Sequence, residues 1–200
     1  MFLILTGPTA SGKDTIMRKL LLEYPNLQKV LTTTSRSPRL GEKDSVDYHF
    51  ISEAEFRQKI ADNQFIEYVK YGDNYYGTQK QDILANLGND TIWRIDPSRA
   101  GQIRQFIKDA FEGEQAESLL KEVLVIYISV SENEIRRRLK ARSLSEQEIA
   151  KRIKQDQWDW THYKDHYDFI VENPEGKLSE TIQEISQIIA AHEKIKPNRL

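Results

Sequence analysis

The 200-residue chain has no cysteine. That absence excludes disulfides, thiolate zinc sites and thiol nucleophiles together, and it fits a reducing compartment. Long apolar runs are missing as well: nothing approaches the roughly 20 apolar residues of a membrane-spanning helix. The opening MFLILTG is too short for the apolar region of a signal peptide, lacks a leading positive charge and runs straight into a glycine loop. An excess of either charge is also lacking. Lys and Arg number 29 against 31 Asp and Glu, a formal net charge of -2, so no global basic field argues for nucleic acid or an anionic membrane. These absences lead to the expectation of a soluble cytoplasmic protein, monomer or homodimer, with no nucleic-acid or membrane partner. The length suits one domain, or one core with small lobes, and is enough to bury a substantial core.

What is present is an alternation of apolar runs and helical patterns, without repeats or low-complexity tracts. Residues 2–5 form a short apolar run before a glycine, as in a buried parallel strand, and Ile16, Leu20 and Leu21 then recur at helical spacing. Residues 91–95 precede Asp96-Pro97, residues 123–130 carry the strongest strand signal, and residues 167–171 lead into Asn173-Pro174. A helix is predicted over 179–192, with Ile182, Ile185, Ile188 and Ile189 on one face. Strands separated by helices predict an α/β fold with a parallel sheet flanked by helices. Two stretches break the rhythm, the polar, aromatic 32–83 and the charged, helical 132–164, and both read as lobes inserted into the core.

Residues 7–14 read GPTASGKD, close to the phosphate-cradling pattern G-x-x-x-x-G-K-[ST]. Gly7 and Gly12 allow conformations in which successive backbone N–H groups face one phosphate chain. The helix that follows turns its partly positive N-terminus toward the same anion, and Lys13 is placed to reach the β- and γ-phosphates. The preceding strand, the following helix and the spacing favour nucleotide phosphate binding over a plain glycine turn. The ATP-binding set expected here is Gly7, Pro8, Thr9, Ala10, Ser11, Gly12, Lys13, Asp14 and Thr15. Asp14 stands where a hydroxyl normally touches the metal. It reads as a hard-oxygen ligand for Mg2+, as one half of an ion pair, or as a charge merely favoured at a helix N-terminus.

Two further constellations carry chemistry. In TTTSRSPRLGEKDSVDYHF, residues 32–50, Arg36 and Arg39 flank a proline, with Thr32 before and Tyr48 after. Two guanidiniums, a hydroxyl and a phenol suit a phosphate monoester, because Arg matches phosphate oxygens in a bidentate fork; the same residues also read as a solvated basic turn. In FIEYVKYGDNYYGT, residues 65–78, Glu67 is a lone carboxylate among aromatic and apolar neighbours. It suits a base edge that offers N–H donors, or else the stretch is an ordinary amphipathic strand pair.

Taken together, GPTASGK, the 32–50 segment and FIEY…NYYGT resemble the guanylate kinase family, whose members transfer a phosphoryl group from ATP to GMP. RLKARSLSEQEIAKR, residues 138–152, resembles the family's arginine-bearing lid, and YDFIVEN the segment near the adenine. The resemblance implies one domain with a P-loop core (1–31, 84–130 and 165–200), a GMP-binding lobe at 32–83 and a lid at 131–164. It implies that Thr32, Arg36, Arg39, Tyr48 and Tyr76 hold the GMP phosphate. Glu67, Thr78 and Asp96 would read the guanine, and Asn173 would lie on the ATP side. Lys13, Arg138, Arg142 and Arg152 would act on the transferring phosphates, with Mg2+ entering with ATP. Arg138 and Arg142 are favoured within the RRR run because i, i+4 spacing puts them on one helix face.

The chain departs from the family pattern in three places. Asp14 replaces the loop hydroxyl. Where the family has L-D-I-D-x-Q-G, this chain has WRIDPSRAG, so Arg94 replaces an aspartate and Ser98-Arg99 replace the Q-G pair. The lid is about a residue shorter, and 108–121 reads as an insertion. One position near the metal gained a negative charge while another gained a positive one, which predicts an Asp14–Arg94 ion pair. G-K-D-[ST] and S-R-A also resemble ribose 1,5-bisphosphate phosphokinase, which leaves a sugar-phosphate kinase as the second expectation and a catalytically weak binding module as the third.

Overall fold

The computed structural model describes residues 1–195; residues 196–200 of the expected core segment 165–200 lie outside the described residues. Its main sheet has five parallel strands: β1 (Phe2–Thr6), β2 (Gln28–Lys29), β7 (Thr91–Arg94), β8 (Val123–Ser129) and β9 (Phe169–Glu172), in the order β2-β7-β1-β8-β9. The apolar run at the start of the chain is therefore the middle strand, with Phe2 in register with Thr91 on one side and Val123 on the other. A strand covered on both faces needs apolar residues at successive positions, which is why FLILT reads as a continuous run.

Helices cover both faces. On one side α1 (Lys13–Glu23) and α8 (Leu178–Ile195) bury Ile16 and Leu20 together with Ile182, Ile185 and Ile189 against the sheet. On the other, α4 (Pro97–Ala110) and α5 (Gly113–Glu122) bury Ile103, Ile107 and Leu119. The stretch 108–121, expected as an insertion, is thus part of the core: it ends α4, forms α5 and places Phe111 and Ala116 in the main apolar cluster.

Residues 33–79 build a second, four-stranded sheet, from β3 (Thr33–Thr34), β4 (His49–Phe50), β5 (Phe65–Tyr71) and β6 (Asn74–Gln79), in the order β4-β3-β6-β5. Two helices accompany it, α2 (Glu53–Ala61) with Ser52 as its N-cap, and α3 (Lys80–Leu84). After β8 come α6 (Glu132–Lys140) and α7 (Glu146–Tyr163), the latter opened by a capping box between Ser145 and Glu148. These two helices form a small core of their own from Ile135, Leu139, Ile149 and Ile153, which packs on Ala10 of the glycine loop. The carboxyl ends of β1, β7 and β9 converge at one edge of the main sheet, the usual place for a ligand site in a parallel α/β fold.

Candidate active site

The loop after β1 is shaped by two glycines that no other residue replaces without strain. Gly7 (φ 144°) lies so close to β8 that a Cβ would sit 2.4 Å from Ile128 O, and at Gly12 (φ 95°) a Cβ would sit 2.5 Å from Asn173 Nδ2. Asn173 braces the loop from beneath. Its amide donates to Ser11 O at 2.8 Å, and its Oδ1 accepts from Thr181 Oγ1 at 3.3 Å. Lys13 folds back over the loop, donating to Gly7 O and Pro8 O at 2.8 Å each. Burial, followed by the nearby Arg94 charge, lowers its pKa from 10.5 to about 8.

Asp14 and Arg94 form the expected ion pair, with Arg94 Nη1 3.0 Å from Asp14 Oδ1. The guanidinium reaches further than the charge exchange foretold: Nη2 also donates to Tyr48 Oη at 2.5 Å. Arg94 therefore links the loop to the second sheet's side of the cleft. Among the described residues no group of three or more His, Cys, Asp or Glu side chains is placed to hold a metal ion. Asp14, the carboxylate expected beside the metal, is here engaged by the Arg94 guanidinium.

A cleft of about 360 Å³ runs from this loop across to the second sheet. Lys13, Arg94 and Arg152 line it on the loop side, while Thr32, Arg36, Arg39, Tyr48 and Tyr76 line the opposite side. Arg36 is oriented by Glu42, which accepts from Nη1 at 2.8 Å and Nη2 at 3.0 Å, and it stacks over Tyr48 and Phe50 at 5.5 and 5.6 Å. Glu42 also accepts the Arg39 backbone N–H at 2.7 Å, and these bonds hold its carboxyl at a pKa of about 2. Glu42 is a positioning residue the motif reading passed over; its only signal is a carboxylate a few places beyond R-S-P-R.

At the inner end of the cleft Glu67 is buried, and burial raises its pKa from 4.5 to about 7. It accepts from Thr78 Oγ1 at 2.8 Å, and Thr78 in turn accepts from Trp93 Nε1 at 3.0 Å. Because the indole can only donate, Thr78's single proton is directed to the carboxylate. Asp96, also on the cleft wall, caps α4 by accepting from the Arg99 N–H at 3.2 Å and Ser98 Oγ at 2.6 Å.

The basic residues of 131–164 divide in three ways. Arg152 reaches the cleft and its Nη1 donates to Thr9 Oγ1 at 3.4 Å. Arg138 lies under the loop, donating to Ala10 O at 3.1 Å and Asn173 O at 3.2 Å. Arg142 is outside the cleft, on an exposed turn, and this corrects the i, i+4 reading. Helix α6 ends at Lys140 and Ser143 takes a positive φ of 60°, so the helical face does not extend to Arg142. Asp156, on α7, was not anticipated. Its carboxylate accepts the Thr9 backbone N–H at 3.1 and 3.2 Å, and burial raises its pKa to about 6. No local motif marks it, since its partner is 147 positions away.

A glycine loop between a parallel strand and a helix, with its lysine facing an arginine-lined cleft, defines a P-loop phosphotransferase of the nucleoside monophosphate kinase type. The sequence matches the family model described as Guanylate kinase over residues 1–192. The chain belongs to the guanylate kinase family. It is 33% identical to the guanylate kinase of Caldanaerobacter subterraneus subsp. tengcongensis, over 100% of this chain and 90% of that relative. It is likewise 33% identical to the guanylate kinase of Symbiobacterium thermophilum, over 96% and 85%. Among solved structures, guanylate kinase from Anaplasma phagocytophilum superposes with a TM-score of 0.69 at 27% identity, covering 98% of this chain and 87% of that one. A shikimate kinase from Acinetobacter baumannii, solved with shikimate, shares the fold alone, with a TM-score of 0.53 at 15% identity, over 98% and 95%.

Proposed function

We propose that the chain phosphorylates GMP, and dGMP, with ATP by direct transfer of the γ-phosphoryl group. The observation that carries this is the single cleft in which a buried carboxylate, Glu67, stands at one end and the phosphate loop with Lys13 at the other. Guanine offers donors at N1 and its 2-amino group, and Glu67 with Asp96 can accept them; adenine has no matching donors there. Bound adenine would offer no donor to the buried Glu67 carboxylate beyond the one Thr78 already gives, so a polar pocket of this kind discriminates against it. Those same donors favour ionised Glu67, drawing its pKa down from about 7.

Arg36 and Arg39, with Thr32, Tyr48 and Tyr76, take the GMP phosphate, and Glu42 keeps the Arg36 fork in place. ATP enters as its magnesium complex, with the metal held by phosphate oxygens and water. Its phosphates lie on the loop amides, Lys13 turns from the Gly7 and Pro8 carbonyls toward them, and Arg152 faces the charge that spreads over the transferred group. The 32–83 segment acts as the acceptor lobe and 131–164 as the lid, which on closing excludes water from the phosphoryl group. As the lid moves, Asp156 releases the Thr9 amide, and that donor becomes available to phosphate. Monomer and homodimer are both compatible with this cleft, which is built within one chain.

A coupled assay with ATP, Mg2+ and GMP, dGMP, AMP, UMP or ribose 1,5-bisphosphate tests the proposal. Turnover is expected with GMP and dGMP alone. Turnover confined to ribose 1,5-bisphosphate would replace the acceptor, and tight binding without turnover would make the chain a binding module.

A further inference from the structure

Arg94 stands where the donor and acceptor sides of the cleft meet. Its strand, β7, adjoins β1 with Leu5 and Arg94 in register, so the side chain leaves the sheet beside the root of the glycine loop. From there the guanidinium points two ways at once, to Asp14 at the head of α1 and to the Tyr48 phenol near Arg36. The two members of the ion pair differ in setting: the Asp14 side chain is 64% exposed and that of Arg94 30%. An ion pair with one partner that open to water is screened and contributes little. Asp14 therefore holds the guanidinium in the cleft without committing it there.

The cleft gathers cations and carboxylates side by side, with Arg94 among the former and Glu67, Asp96, Asp156 and Asp159 among the latter. Lys13 feels the Arg94 charge already, because that charge is the second cause, after burial, of its lowered pKa. Arg36, Arg39 and Arg152 line the same cleft. A polyphosphate on the loop brings several negative charges to this point and offers charge-assisted bonds stronger than a single exposed carboxylate can.

We propose that Arg94 is a phosphate-contacting residue of the transfer site, exchanging Asp14 for oxygens of the ATP phosphates and supplying part of the positive charge otherwise left to the divalent cation. Tyr48 keeps the guanidinium aimed across the cleft during the exchange. Asp14 is its resting partner, holding the charge in place until nucleotide arrives. The fork is essential to this role, because a guanidinium presents N–H groups to two partners in one plane and an ammonium does not. On the donor side the proposal needs only the phosphate loop; on the acceptor side it rests on the GMP reading above.

The test is calorimetric titration of ATP into the wild-type chain and into Arg94→Met, Arg94→Lys and Asp14→Ser, each in excess EDTA and in excess Mg2+. In EDTA, Arg94→Met is expected to weaken ATP binding by about tenfold or more, the effect of one lost charge-assisted contact. In Mg2+ the loss should stay within about threefold, since the metal then carries that charge. Arg94→Lys should fall between wild type and Arg94→Met. Asp14→Ser should tighten binding in EDTA, a gain that a misfolded variant cannot imitate. Unchanged affinity of Arg94→Met in EDTA overturns the proposal. So does an equal loss in both conditions, which would mark Arg94 as merely structural. No acceptor is present in these titrations. Failure of the wild-type chain to phosphorylate GMP therefore overturns the proposed function and leaves the Arg94 result readable by itself.

Discussion

Lys13 illustrates how much of this site is decided by single residues. Its ammonium is bonded to loop carbonyls, yet burial and Arg94 bring its pKa down to about 8. Near pH 8 about half the ligand-free molecules therefore carry a neutral lysine. A phosphate oxygen beside it restores the charged form, so ATP binding at pH 8 is expected to take up about half a proton, and less at pH 7. Calorimetry in two buffers of different ionisation enthalpy measures this uptake directly. A value near zero from pH 7 to 9 would show that Lys13 is already fully charged before ATP arrives. Some of this residue-level chemistry was legible in the sequence. Asp14 and Arg94 each replace a familiar group with a charged one, and opposite changes at two positions flanking the same phosphates imply a partnership. The contact from Arg94 to Tyr48 was not legible, because nothing in the order of residues says that a second sheet brings residue 48 to the end of β7.

At the scale of helices and strands, the lid arginines separate by where their helices end. Arg152 faces the cleft from the middle of α7, whereas Arg142 lies beyond the last turn of α6. Steady-state kinetics should therefore show Arg152→Ala lowering kcat by about a hundredfold or more, as expected for a cation acting on the transferred phosphoryl group. Arg142→Ala should stay within about twofold of wild type, the ordinary result for an exposed position outside a site. A large effect at Arg142 would mean that lid closure carries this turn into the cleft. The apolar strands β1, β7 and β8 were readable because burial on both faces demands runs of apolar residues; β9, at the sheet edge, showed as an apolar run although Phe169 and Ile170 are exposed. Strand β2, Gln28–Lys29, and strands β3 and β4 are two residues long, too short for any alternation to show. They exist because neighbouring strands offer hydrogen bonds, and that is a tertiary cause. The end of α6 was hidden for a related reason, since the basic residues run on past Lys140 while the backbone turns.

Across the whole molecule, the cleft concentrates carboxylates that resist ionisation. Burial raises Glu67 to about 7, and Asp156 and Asp159 to about 6 each, and all three line the same cavity. Each folded-state value lies above the ordinary one, 4.5 for glutamate and 3.8 for aspartate. The folded chain thus holds these protons more tightly than the unfolded chain. Their contribution to stability is complete below the ordinary values and is lost as pH rises through 6 to 7. The ligand-free protein is expected to melt at a lower temperature at pH 7.5 than at pH 5. Glu67→Gln should flatten that decline and raise the melting temperature at pH 7.5, since Glu67 alone accounts for on the order of 3 kcal/mol. Scanning calorimetry across the range decides it; a melting temperature that holds level or rises toward pH 7.5 rules the account out. The sheet order also has a consequence for how the protein is made. The ribosome delivers the middle strand first, and FLILT meets its neighbours only when Thr91–Arg94 and Val123–Ser129 have been synthesised. Until then the nascent chain trails an apolar segment that no partner covers, the condition in which young polypeptides stick to one another. The loop built onto that strand waits longer still, because Asn173, which braces it, is synthesised after all five strands of the sheet.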